Sequence, residues 1–184
     1  MKVSIMSGVP GSGKSHHVRE MAKIWLSEGK RGTVVSTDFF WYSNIHTMDV
    51  YFDELSHKDF GEYKFEIPRL AEAHPACMAA FIDILKNQED RDHADYHVIV
   101  DNTCIHNWEI NPYYLVAQSF GADVEILRVE ANLDDCIARQ THNVPEHVLL
   151  KMNMTFHEEQ DHPWEAGVKI PAQHMPWWTS RNVG

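Results

Sequence analysis

Residues 8–15 read Gly-Val-Pro-Gly-Ser-Gly-Lys-Ser, between a loosely alternating apolar run, Lys2–Ser7, and a segment with Val18, Ala22 and Trp25 on one helical face. A strand that passes into a helix through three glycines has few ways to fold. Gly8, Gly11 and Gly13 let the backbone N–H groups of the turn point inward, and the first turn of the helix adds the positive end of its dipole. Such a turn is built to hold an anion. The GxxxxGK[ST] spacing then adds a cation and a hydroxyl where nucleotide phosphates and their magnesium would sit. The loop is therefore read as a phosphate-binding P-loop. Gly8, Gly11, Ser12, Gly13, Lys14 and Ser15 bind the nucleotide, Lys14 reaches the β- and γ-phosphates, and Ser15 ligates Mg2+. ATP and GTP both remain open as phosphoryl donor.

Downstream, strand patterns alternate with helical ones. Gly29 stops the first helix, and Thr33–Ser36 reads as a second strand followed by Thr37 and Asp38. Residues 39–67 are polar and aromatic without a clear period, and are expected to cover the site as a loop or short elements. After Pro68, the residues Leu70, His74, Cys77, Phe81 and Leu85 share a helical face, which makes His74 a core histidine. His97–Val100 is a third strand ending in Asp101, Asn102 and Thr103. Asn111 and Pro112 are placed to open a helix that Gly121 stops, Val124–Val129 is a fourth strand, and Asn132 caps a helix through Arg139. A further helix begins near Pro145. This order predicts an α/β fold of three layers, a parallel sheet flanked by helices, with ligands at the carboxyl ends of the strands. Residues 1–160 are expected to form that domain. Residues 161–184, with three prolines and three of the six tryptophans, are expected as a tail packed on it.

Chemistry concentrates at those strand ends. Asp101 closes an apolar strand, the place of a carboxylate that orients magnesium or its water. Asp38 closes the neighbouring strand, near the expected γ-phosphate, where it can take the proton of an attacking hydroxyl. Arg139 ends a helix before the turn 141–145, a position from which a guanidinium can stabilise a transferring phosphoryl group. Asn102, Thr103 and His142 are weaker candidates for substrate contact.

The net charge of −11 is unevenly spread. Residues 1–50 hold six Lys/Arg against four Asp/Glu, whereas residues 51–184 hold ten against twenty-three. A broad basic field for sequence-independent nucleic-acid binding is thereby excluded, and any polynucleotide contact must be local. Three widely spaced cysteines give neither a disulfide framework nor a zinc-ligand spacing. No apolar run is long enough to span a membrane and no leader pattern follows Met1, so a cytoplasmic protein with no membrane partner is expected.

In their order, these landmarks resemble the polynucleotide-kinase-type P-loop kinases, the group that includes the phage 5′-hydroxyl polynucleotide kinase. The resemblance runs over about residues 1–160 and rests on GVPGSGKS, Ser36-Thr-Asp38-Phe-Phe, Tyr63-Lys-Phe with Ala73-His74, Val100-Asp-Asn-Thr103 with Trp108-Glu109 and Pro112-Tyr113, and Arg139-Gln-Thr-His142-Asn-Val-Pro145. It implies that Asp38 is the general base, that Lys14 and Ser15 serve phosphate and metal, and that Arg139 belongs to a lid. Where the phage kinase carries arginines for substrate phosphates, this chain has Trp41 and the Thr141-His142 turn. Related phage enzymes phosphorylate hydroxymethylated bases in DNA, and Trp41 is a candidate platform for stacking on such a base. The resemblance thus implies a magnesium- and ATP-dependent kinase acting on a hydroxyl of DNA or RNA. A small-molecule or nucleoside kinase, and a nucleotide-dependent ATPase or switch module, are the alternatives.

Overall fold

The computed structural model describes residues 1–88 and 95–159. The expected packing of the 161–184 tail lies outside the described residues. Five strands form one sheet in the order β3-β2-β4-β1-β5: β1 Lys2–Ser7, β2 Arg31–Val35, β3 Asp49–Tyr51, β4 Tyr96–Val100 and β5 Asp123–Arg128. All neighbours are parallel except β3, which pairs antiparallel with β2. The short β3 falls in the aperiodic 39–67 stretch, so the purely parallel sheet expected from the sequence gains one antiparallel edge strand. Every residue of β4 is buried, as befits a strand near the sheet's centre.

Alternate residues of each strand feed two apolar layers. Val3, Ile5, Val35, Val98, Val100 and Ile126 face helices α2 (Leu70–Gln88) and α3 (Asn107–Ser119), whereas Met6, Val34, Ile99 and Leu127 face α1 (Lys14–Ser27). Helices α4 (Leu133–Arg139) and α5 (Glu146–Glu158) meet at a third, smaller cluster, where Cys136 and Phe156 pack with Val9 of the P-loop and Ile105. The result is the expected helix–sheet–helix sandwich. Its P-loop end is additionally covered by α4 and α5.

Three side chains or boundaries depart from the sequence expectation. The buried face of α2 is Ala73, Cys77, Phe81 and Leu85, and His74 is exposed one position away from it. Helix α3 begins at Asn107, four residues before Asn111, because Glu109 reaches back and accepts the His106 backbone N–H at 2.9 Å. Trp41 is only 4% exposed and ends a 3-10 turn, Thr37–Trp41, with its ring edge-on between Phe40 and Phe65. A ring so enclosed offers no face to a base, so Trp41 is a core tryptophan and not a stacking platform.

At the opposite end of the sheet from the P-loop, a polar group lies inside the α1 layer. The single Ser4 hydroxyl proton goes to Glu125 Oε1 at 2.5 Å, so the His97 Nε2–H must donate to Ser4 Oγ at 2.7 Å. Nδ1 of His97 is left buried without a hydrogen-bond partner among the described residues, and the ring packs on Trp25. Protonation would place a charge and an unmatched N–H there. Burial, with the Lys2 charge as a smaller cause, accordingly lowers the His97 pKa to about 3.

Two predictions follow the packing. Unfolded, His97 titrates near 6.5, so the unfolded chain binds the extra proton between pH 6.5 and about 3. The stability His97 contributes is complete above pH 6.5 and is lost as pH falls, by up to ~1.4 kcal/mol per pH unit. Urea unfolding from pH 7 to 4 should therefore show a flatter decline for His97→Gln than for the wild type; parallel curves would remove His97 as a cause. Trp41→Ala should cost about 3–5 kcal/mol of stability, as emptied aromatic sites do. A variant as stable as the wild type would return Trp41 to the surface.

Candidate active site

The P-loop is fixed at both of its flanks. The Gly8 N–H donates to the Thr103 carbonyl at 2.8 Å, the Ser7 hydroxyl to the Cys104 carbonyl at 2.7 Å, and the Val129 N–H to the Ser7 carbonyl at 2.8 Å. Gly11, at φ 81°, passes so close to α4 that a Cβ would stand 2.1 Å from the Cys136 carbonyl oxygen. Gly13, at φ 100°, makes the left-handed turn into α1. These are the conformational demands that the glycine spacing met in the sequence. Ser12 is fully buried, its N–H donates to the Val9 carbonyl at 3.1 Å, and its Oγ has no hydrogen-bond partner among the described residues.

Lys14 is buried and its ammonium donates to the carbonyls of Gly8 and Val9 at 2.8 and 3.0 Å. Burial lowers its pKa, and the charges of Asp101 and Asp38 oppose that shift. The same burial raises Asp101, against the opposing pull of Lys14 and of the Ser15 hydroxyl bonded to its carboxylate. Lys14, Ser15, Asp101 and Asp38 thus form one electrostatic group at the carboxyl ends of β1, β2 and β4. Ser15 is exposed on α1 and Asp101 is partly buried beside it. These two oxygens suit Mg2+, which takes one or two protein ligands and completes its shell with phosphate and water. Among the described residues no group of three or more His, Cys, Asp or Glu could hold a metal by itself.

Asp38 stands in the first turn of the 3-10 segment after β2. Ser36, at its N-cap, accepts the Asp38 N–H at 3.2 Å and donates its own hydroxyl proton to the Asp101 carbonyl at 2.7 Å. In front, Tyr63 donates its hydroxyl to Asp38 Oδ1 at 3.1 Å, while His142 Nε2 lies 3.7 Å from Oδ2. The Tyr63 and His142 rings stand 4.1 Å apart, which joins the 39–67 segment to the turn between α4 and α5 directly over Asp38. Burial and the Asp38 charge push the Tyr63 phenol well above its ordinary pKa, so it remains a donor.

The remaining candidates divide. His142 is brought to Asp38. Arg139 ends α4, the helix against Gly11, and pairs with Asp135 one turn back at 3.4 Å. Asn102 turns inward to the backbone of Thr37 and does not face an open site, and Thr103 contributes the carbonyl that holds Gly8. Tyr63 and Ser36 act on Asp38 without a spacing signal of their own. Tyr63 is 25 residues from Asp38 in a segment without periodicity, and appears in the sequence only within the resemblance.

Comparison with known proteins agrees with the fold. Human NEDD4-binding protein 2 is 27% identical over 114 residues, which is 62% of this chain but 5% of that protein. The crystal structure of APE1195 superposes with a TM-score of 0.50 at 15% identity, covering 98% of this chain and 87% of the other. The structure of the Pnkp1/Rnl/Hen1 complex gives a TM-score of 0.50 at 19% identity, over 78% of this chain and 40% of that one. At such identities the two structures establish the shared α/β fold. The family model described as AAA domain matches residues 3–159, from the first strand through the last described helix, and the chain belongs to that family.

Proposed function

We propose that the chain is an ATP-dependent kinase that transfers the γ-phosphoryl group to a hydroxyl of DNA or RNA, at a 5′ end or on a hydroxymethylated base. The observation that carries this reading is Asp38, a half-exposed carboxylate held between β2 and β4 beside the Lys14–Asp101 pair, with Oδ1 occupied by Tyr63 and Oδ2 facing the lid turn. A carboxylate so placed can take the proton of an attacking alcohol as that oxygen meets the γ-phosphorus.

In the step proposed, the acceptor hydroxyl gives its proton to Asp38 Oδ2 as its oxygen bonds to the γ-phosphorus. The bond from that phosphorus to the β–γ bridging oxygen breaks, and ADP leaves. Lys14 exchanges its carbonyl partners for the β- and γ-phosphate oxygens and keeps its charge there. Ser15 and Asp101 would hold the magnesium, which would offset the phosphate charge. Arg139, on the helix that touches the P-loop, supplies a guanidinium for the transferring group. The polynucleotide acceptor is supported by Asp38, Tyr63 and His142, residues of the ordered motif set that meet at one site. A small-molecule acceptor is the second reading, favoured by the acid excess of residues 51–184 and by the loss of Trp41 as a platform.

The test is incubation with γ-labelled magnesium ATP and a panel of 5′-hydroxyl DNA and RNA oligonucleotides, hydroxymethylated DNA and free nucleosides. Label on an oligonucleotide is the expected outcome. Label on nucleosides alone selects the second reading, and free phosphate as the sole product contradicts both.

A further inference from the structure

The parallel ladder between β2 and β4 does not end where the strands do. Val35 and Val100 are its last backbone register pair. Beyond them the Asp101 N–H still donates to the Val35 carbonyl at 2.9 Å, and the Ser36 hydroxyl donates to the Asp101 carbonyl at 2.7 Å. One residue further, β2 has turned into the 3-10 segment and no backbone carbonyl of the other strand meets it. There the Asn102 side chain takes over: its Oδ1 accepts the Thr37 N–H at 2.8 Å. Because a backbone N–H can only donate, this contact fixes which end of the amide is oxygen. The Nδ2 end then points into the α2–α3 layer, 3.3 Å from the Tyr113 hydroxyl and 3.7 Å from Cys77 Sγ. Tyr113 in turn donates to Cys77 Sγ at 3.4 Å and packs edge-on against Phe81.

We infer that Asn102 is a positioning residue for transfer: anchored by Tyr113 and Cys77, it clamps the Thr37 backbone and so sets where Asp38 stands relative to Asp101. The inference rests on the reading of Asp38 as the base and gives Asn102 no contact with substrate. Cys77 and Tyr113 suit the anchor. Burial pushes both the thiol and the phenol above their ordinary pKa values, so neither brings a charge under the site. The clamp is also short. A single hydrogen bond joins the amide to the Thr37 nitrogen, and Asp38 is the next residue, so a slackened clamp moves the carboxylate and leaves the P-loop, held through Thr103 and Cys104, where it is.

The experiment compares Asn102→Ala, Tyr113→Phe, Asp38→Asn and the double variant Asp38→Asn/Asn102→Ala. Each is measured with magnesium ATP and the panel acceptor that takes label, or with water as acceptor if none does, for single-turnover transfer, ATP affinity and exchange of the Thr37 amide. Asn102→Ala should slow transfer about 10–100-fold, the scale of a misplacement near one ångström, with ATP affinity unchanged and the Thr37 amide exchanging faster. Tyr113→Phe should move transfer and Thr37 exchange in the same sense by less, with ATP affinity again unchanged, and it carries the comparison if Asn102→Ala fails to fold. The double variant should transfer no more slowly than Asp38→Asn, because Asn102 acts only through the group already lost. A double variant slower by the full Asn102→Ala factor overturns the inference, as does wild-type transfer in Asn102→Ala beside a slow Asp38→Asn. Wild-type transfer in Asp38→Asn overturns the base assignment itself.

Discussion

A buried ammonium is costly unless its charge and all its donors are met, and Lys14 is buried. Two loop carbonyls take its hydrogen bonds, and the carboxylates of Asp101 and Asp38 supply the field that opposes its desolvation. The rest of the architecture can be read from that requirement. Three strand ends must stop at one level to bring residue 14, residue 38 and residue 101 together. The order β2-β4-β1 does this with β4 in the middle, so that Asp101 emerges between the loop and Asp38. Gly11 must lie bare against Cys136, which brings α4 and its Arg139 over the loop. In the proposed reaction the ammonium would trade carbonyl oxygens for phosphoryl oxygens, so the loop's own hydrogen bonds would hold the lysine close to its working position.

What the sequence made legible is the part written in local terms. Glycines at 8, 11 and 13, a lysine at the first turn of α1 and the carboxylates that follow β2 and β4 mark the cradle, because each depends on its immediate neighbours. The helix–sheet–helix layering was legible for the same reason, with alternating strand residues feeding both faces. Trp41, His74 and β3 were not. Nothing within a few residues of Trp41 shows that Phe65 will close over it, and a helical period alone could not tell that Ala73, and not His74, would face the core. The β3 edge is three residues long and owes its existence to β2, which no pattern within it announces. Asn102 shows the limit at the site itself. Its place after a strand-closing aspartate suggested substrate contact, but its hydrogen bonds run to Thr37 and into the core.

The acceptor side is built from pieces far apart in sequence, and this gives it a different character from the donor side. Tyr63 comes from the segment after β3 and His142 from the turn between α4 and α5, and their rings meet over Asp38. On the proposed reading, an acceptor hydroxyl seeking Oδ2 would approach where His142 stands, which would link acceptor entry to the position of the α4–α5 turn. The acid excess of residues 51–184 gives the chain no broad basic field, which would confine recognition of a polynucleotide to a few groups near its reacting end.

The central claim is that Asp38 removes the proton of an alcohol whose oxygen receives the phosphoryl group held by Lys14. The direct measurement is ATP affinity alongside single-turnover transfer in Asp38→Asn, an isosteric change that keeps an oxygen for Tyr63 and removes the base. The account predicts wild-type ATP affinity with transfer slowed by about 10²–10⁴-fold, the usual loss for a general base. Affinity and transfer falling together would make Asp38 a structural carboxylate of the P-loop's surroundings, and undiminished transfer would contradict the account outright.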